Sequence, residues 1–250
     1  MIPVYSALEI EKLKISGRII AEFWEALKPM VGPGALASDL DAFAEKFIAA
    51  RGGTPAFKGY RGYPAALCVS LNHEVVHGIP GPDRILKDGD LVGIDVGVAK
   101  DGFITDAARS YHVGQAPSLK AIKLLAVGRQ ALEDGIAQAR AGALVRDVSR
   151  AIQEKAESAG FSVVREMCGH GVGGKLHQEP EVPNYVRIEP SPRLKPGMCL
   201  AIEPMINAGG HRIKFLSDGW TVVTADGSSS VHFEDTVVVT VGAPLVLTRL

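Results

Sequence analysis

Four carboxylates stand at positions where a carboxylate is costly. Glu203 ends the apolar run 198–202 in "KPGMCLAIEP", and Asp95 ends a similar run in "KDGDLVGID". The stretches align residue for residue at an offset of 108: Lys87 with Lys195, Gly89 with Gly197, Leu91 with Cys199, Ile94 with Ile202, Asp95 with Glu203. Further along, "TDAARSYHVG" places Asp106 eight residues before Gly114, and "FEDTVVVTVG" places Glu234 eight residues before Gly242. Each half of the chain thus supplies two acids. A carboxylate in an apolar setting costs several kcal/mol unless compensated. Four brought together would repel one another, and burial would push their pKa values upward. Divalent cations relieve both effects. Four carboxylates with one or two imidazoles suit a pair of Mn, Fe, Co or Zn ions bridged by carboxylate.

An imidazole is offered by "CGHGVGGKLHQEP". There His170 is framed by Gly169, Gly171, Gly173 and Gly174. Backbone without side chains can fold closely around whatever His170 binds. His177 follows beyond the glycine loop, and His77 in "VVHGIPG" ends another apolar run as a third candidate. His73, His112, His211 and His232 read as ordinary core or surface histidines.

The elements that must position these groups are repetitive. Ser6 and Glu9 form a capping box opening a helix with Leu13, Ile20, Phe23, Trp24 and Leu27 at helical spacing, stopped by Pro33 and Gly34. Ser38-x-x-Asp41 predicts a second helix carrying Leu40, Phe43 and Phe47, closed by Gly52 and Gly53. The runs "AALCVSL", "LVGIDVGV" and "FITDAARSYHV" read as strands separated by turn-rich pieces. The pattern then restarts with helices over 118–141 and 145–159 and a strand over 161–167. Gly34, Ala35, Leu36 and Asp39 match Gly142, Ala143, Leu144 and Asp147, again at an offset of 108. No linker divides the chain. The expectation is a mixed α/β fold of the α+β kind. It forms one domain over 1–250, built from two pseudo-symmetric helix-helix-strand halves, approximately 1–115 and 116–250, with a site where they meet.

Bulk properties narrow the class. At 250 residues, 46% apolar and 22% charged, the chain is long enough to bury a sizeable core. A net charge of −1 gives no electrostatic reason to expect DNA or an anionic membrane as partner. Cys68, Cys168 and Cys199 are widely spaced without a C-x-x-C pair, as in a reducing cytosol. Glu9, Glu11, Lys12, Lys14, Arg18 and Glu22 interrupt the N-terminal apolar stretch, which argues against a signal peptide or membrane span. A cytoplasmic protein is expected.

Taken together, "HGIP", "GIDVGVAKDGFITDAARSYHVG", "CGHGVGGKLHQEP", "AIEPM" and "FEDT" resemble the motif series of the type I methionine aminopeptidases. The resemblance runs from the first helix to the last strand. It implies a pita-bread fold, whose two halves share an antiparallel sheet, and removal of the initiator methionine from nascent chains with a small second residue. It further implies two divalent ions (Co, Mn, Fe or Zn). Asp95 would bind one, His170 and Glu203 the other, and Asp106 and Glu234 both. His177 would donate to the scissile carbonyl oxygen, His77 would contact the scissile amide nitrogen, and Glu203 would shuttle the proton. Tyr60, Tyr63, Cys68 and Trp220 would line an apolar methionine pocket, in keeping with the affinity of a thioether for aromatic rings. Phe57 and Leu176 belong to the same pocket but depart from the bacterial pattern, where cysteine and phenylalanine are common; Asp235 stands where histidine is frequent. Nascent polypeptide N-termini, a transient ribosome contact and a monomeric state complete the implied picture. Proline dipeptidases of the same fold usually carry a large extra N-terminal domain, and type II enzymes an insertion between the positions of Glu203 and Glu234. A binding module derived from the fold would be marked by a missing ligand, and a structural zinc site by a Cys/His cluster.

Overall fold

The computed structural model describes residues 2–115 and 118–250. Helix α1 (Ala7–Leu27) opens on Ser6, whose Oγ accepts from the Glu9 amide while Glu9 Oε2 accepts from the Ser6 amide at 2.8 Å. It stops at Leu27, short of the predicted Pro33–Gly34 stop. Pro29 enters a 3₁₀ turn (Lys28–Met30), and without an N–H it cannot continue the α-helical ladder. Helix α2 (Ala37–Ala50) begins on Leu36 without a side-chain cap. The helix read from Ser38-x-x-Asp41 is present, but Asp41 makes no capping bond, because its carboxylate accepts the amides of Ala66 and Leu67 at 2.8 Å each. Asp41 thereby ties α2 to the strand that follows rather than to its own first turn.

Helices α3 (Leu119–Gln138) and α4 (Val145–Ser158) form the second pair. Val145, Val148, Ile152 and Ala156 recur at three- and four-residue steps and are all buried, so α4 presents one continuous apolar stripe. The strand predicted over 161–167 shrinks to Ser162–Val163, which pairs with Asn207 and Ile206 before the chain turns away.

Two antiparallel sheets carry the acids. In the first, Leu91–Lys100 lies between Leu67–Leu71 and Phe103–His112, with Cys68 opposite Asp95 and Gly97 opposite Asp106. The second runs Leu245–Val246, Asp235–Val238, Cys199–Ile202, Cys168–Gly171, Gln178–Pro183. Helices α1 and α2 pack on the first sheet through Ile20, Phe23, Leu40 and Ile48 against Leu67, Ile94 and Val96. Helices α3 and α4 pack on the second through Leu132, Ile136 and Ile152 against Leu200, Ile202 and Val237. The sheets join at the acids themselves. Ala108 and Glu234 exchange backbone hydrogen bonds (3.3 and 2.9 Å), and Thr236 Oγ1 accepts from the Asp106 amide and donates to its carbonyl (2.8 and 2.7 Å).

Backbone contacts repeat at the sequence offset. Gly34 donates to Leu86 O at 2.8 Å and Gly142 to Leu194 O at 2.9 Å; Leu86 donates to Ala35 O and Leu194 to Ala143 O, both at 2.8 Å. Isolated bridges join Leu36 to Ile85 and Leu144 to Arg193. The expected boundary near residue 116 lies outside the described residues. Among the described residues no helix is long and apolar enough to cross a membrane.

Candidate metal centre and adjoining cavity

Strand register brings the acids together. Asp95 faces Ala108 and Asp106 faces Gly97, so the two aspartates are diagonal neighbours on one face of an antiparallel pair. Ile202 pairs with Asp235, which places Glu203 and Glu234 on the next rung of that ladder. His170 pairs with Ala201, two residues before Glu203, and its Nε2 lies 3.4 Å from Glu203 Oε1. The His170 Nδ1 is 3.0 Å from the Gly171 carbonyl, which assigns the proton to Nδ1 and leaves the Nε2 lone pair free for a cation.

Two triads have donor atoms all within 4.8 Å of one another: Asp106, His170 and Glu234, and Glu203, His232 and Glu234. Glu234 belongs to both, the arrangement a bridging carboxylate requires. Asp95 Oδ1, Asp106 Oδ1, Glu234 Oε1 and His232 Nε2 are buried without a hydrogen-bond partner. Groups orphaned in this way are costly unless a cation meets them. Burial raises Asp95 to about 7 and lifts Asp106 and Glu234 well above the usual carboxylate range, with the neighbouring acids adding to the effect; burial alone does the same for Glu203. Burial lowers His170 to about 3 and His77 to about 4, so both imidazoles are neutral at pH 7, the form that binds metal. The donor set and its unmet oxygens fit divalent cations.

The centre opens into a cavity of ≈ 360 Å³. Its wall combines the acids with His170, His177 and His77, and an apolar cluster of Phe57, Tyr63, Cys68 and Leu176 on which Tyr60 and Trp220 pack. The residues expected from sequence as metal ligands, catalytic groups and pocket walls all line one cavity. His177 Nδ1 lies 2.9 Å from the Tyr60 hydroxyl, and its ring centroid is 4.3 Å from that of His170. His77 adopts a positive φ of 61°, a strained conformation for a residue with a Cβ. Such strain costs of order 1–3 kcal/mol and concentrates at functional sites. Arg61, Glu166, Met167, Cys168 and His232 also line the cavity and were missed from sequence. His232, read from sequence as a core or surface histidine, is buried and lines the cavity beside the acids; its only further sequence signal was its place two residues before Glu234, on the same face of an extended chain.

The profile of metallopeptidase family M24 matches residues 11–241. The chain belongs to that family. It is 47% identical to a methionine aminopeptidase of Clostridium perfringens over 250 residues, covering 100% of both chains. It is also 47% identical to methionine aminopeptidase 1 of Bacillus subtilis over 242 residues, covering 97% of each. The crystal structure of a methionine aminopeptidase from Thermotoga maritima superposes with a TM-score of 0.97 at 41% identity, covering 100% of both chains. The expected pita-bread α+β fold is the one observed.

Two departures of this M24 chain from the expected pattern have physical accounts. Phe57 packs over Gly97: a Cβ at position 97 would lie 2.7 Å from Phe57 Cε1, so the larger ring is accommodated by a glycine on the neighbouring strand. Gly97→Ala is expected to lower stability by about 1–3 kcal/mol through overpacking, read as a shifted urea midpoint. An unchanged midpoint would mean that the ring yields freely. Asp235 is fully buried and is matched on all sides. Arg109 and Arg249 each lie 2.6 Å from its carboxylate, and Thr248 Oγ1 donates to it at 2.6 Å. Arg109 also donates to the Glu234 carbonyl, so this network braces the backbone that presents a candidate ligand. Asp235→Ala leaves half-buried Arg109 without its carboxylate and is expected to cost about 3 kcal/mol. Urea melts of the metal-free protein measure this, and a loss below 1 kcal/mol on the same scale would assign the network no structural role.

Proposed function

We propose that this M24 peptidase removes the N-terminal methionine from nascent proteins and peptides whose second residue is small. The observation that supports it most is the juxtaposition of two clusters of potential metal donors with an apolar, partly aromatic pocket. An unbranched thioether packs well against such walls.

The ligand assignment is the one the resemblance implies, and the donor clusters support it in setting Asp106, His170, Glu203 and Glu234 together. Asp95 would hold one ion, His170 and Glu203 the other, and Asp106 and Glu234 would serve both. Two divalent ions, drawn from Mn, Fe, Co and Zn, supply Lewis acidity, bringing the pKa of water toward neutrality and polarising a carbonyl. The chain's own groups do the rest. The pocket from Phe57 to Trp220 seats the methionine side chain and fixes the scissile bond near the acids. Tyr60 orients His177 through Nδ1, leaving Nε2 to donate to the carbonyl oxygen as negative charge grows there. His77, on the wall of the same cavity, contacts the scissile amide nitrogen. Glu203 accepts the proton lost by the attacking water and returns it to the departing amine.

Residues 1–250 form one catalytic domain of two related halves, a reading supported by the hydrogen bonds that recur at the 108-residue offset. The enzyme works in the cytoplasm as a monomer that meets nascent chains, with transient ribosome contact. Steady-state turnover of Met-Ala and Met-Gly peptides is expected to exceed that of Met-Leu, Met-Lys and x-Pro peptides by at least roughly 10²-fold, the discrimination of a steric site. Equal turnover of Met-Ala and Met-Lys, or preference for x-Pro, would overturn it.

A further inference from the structure

His232 has no part in the ligand set above, yet its surroundings are those of a ligand. Its side chain is 4% exposed, and Nε2 has no hydrogen-bond partner. That nitrogen lies 3.4 Å from Glu203 Oε2 and 3.9 Å from Glu234 Oε2. An N–H···O bond to a carboxylate would bring the atoms to about 2.7–2.9 Å. Donors bound about 2.0–2.2 Å from one shared ion instead stand roughly 3–3.5 Å from their neighbours, the edge of the coordination polyhedron. His170 shows the same spacing from the other side, with Nε2 3.4 Å from Glu203 Oε1. Each oxygen of Glu203 therefore faces its own imidazole.

The position is also held. The strand Ser230–His232 pairs with Met205–Asn207, setting His232 opposite Met205 just beyond Glu203. Ser110 Oγ accepts from the His232 amide and donates to its carbonyl, both at 2.9 Å. Both backbone groups are satisfied by one side chain, and the imidazole is aimed at the acids from a fixed base.

We propose that His232 is a direct ligand of the metal centre, its Nε2 binding the ion that Glu203 and Glu234 also hold. The centre then carries two imidazoles. This rests on the dimetal reading given above and deepens it. A second imidazole biases the site away from Mn and toward Zn and Co, which nitrogen ligands suit better than all-oxygen sets do.

The test is X-ray absorption and calorimetric titration of the full chain with Co²⁺ alone, comparing wild type with His232→Gln and His232→Ala. Thermal melts in EDTA serve as a folding control. Wild type is expected to show two imidazoles per two cobalt ions. Both variants should show one, and weaker binding of one ion by at least the roughly 10–100-fold that losing even an outer partner costs. Should His232→Ala melt early in EDTA, His232→Gln, which keeps bulk and polarity, decides the matter. One imidazole in wild type, or an unchanged count and affinity in a folded variant, would overturn the assignment of His232 while leaving the dimetal reading intact. A wild-type chain that binds no cobalt would overturn both.

Discussion

Asp106→Ala is expected to lose both metal ions and, with them, turnover of Met-Ala peptides by at least about 10³-fold, since several kcal/mol of transition-state stabilisation go with the cations. Asp106 sits at the seam of the two sheets, its backbone bonded to Thr236 and its Oδ1 unmatched by any protein group. A carboxylate shared by two ions weakens both when removed, whereas Asp95→Ala should mainly weaken one. The metal-free variant should fold at least as well as metal-free wild type, because one of four mutually repelling buried acids is gone. Metal analysis after dialysis, alongside the turnover assay, reads the outcome. Two tightly held ions in Asp106→Ala would refute the bridging role.

His177→Ala should fail differently. Its kcat is expected to fall by roughly 10²–10³-fold, the scale of removing one donor to a developing oxyanion. KM should change much less, because the lost interaction strengthens mainly in the transition state. Metal content and melting temperature should stay near wild type, since His177 is exposed and pairs with Tyr60 rather than with an acid. His170→Ala is the contrast. His170 is 8% exposed beside Glu203, so that variant should lose metal affinity and, by linkage, heat stability in the presence of metal. Kinetics, metal content and thermal melts on the two variants separate these roles. A His177→Ala protein that lost an ion but kept a normal kcat on its remaining loaded fraction would exchange them.

Asp95 and Glu203 were legible in the sequence because each ends an apolar run, where a lone carboxylate makes little physical sense, and Asp106 and Glu234 because each stands eight residues before a glycine in its own half. The helices were legible for the usual reason of spacing and capping, and the Ser6–Glu9 box formed as read. Ser38-x-x-Asp41 marked the second helix, but the partners of Asp41 were not legible: the amides at Ala66 and Leu67 lie 25 and 26 residues away and leave no local trace. Short strands such as Ser162–Val163 depend on partners distant in sequence and have too few residues to show alternation. Asp235 was opaque for a related reason: its partners Arg109 and Arg249 lie 126 and 14 residues from it. His232 was passed over because a single histidine in a strand carries no pattern of its own; only the fold sets it against Glu203.

The most direct test of the metal-dependent peptidase function is release of free methionine from a Met-Ala peptide by EDTA-treated protein, followed as divalent metal is added back. Release should be absent at first, rise with metal and level off near two equivalents, while a Leu-Ala peptide stays largely intact throughout. Undiminished release in EDTA, or equal cleavage of the Leu-Ala peptide, would contradict it.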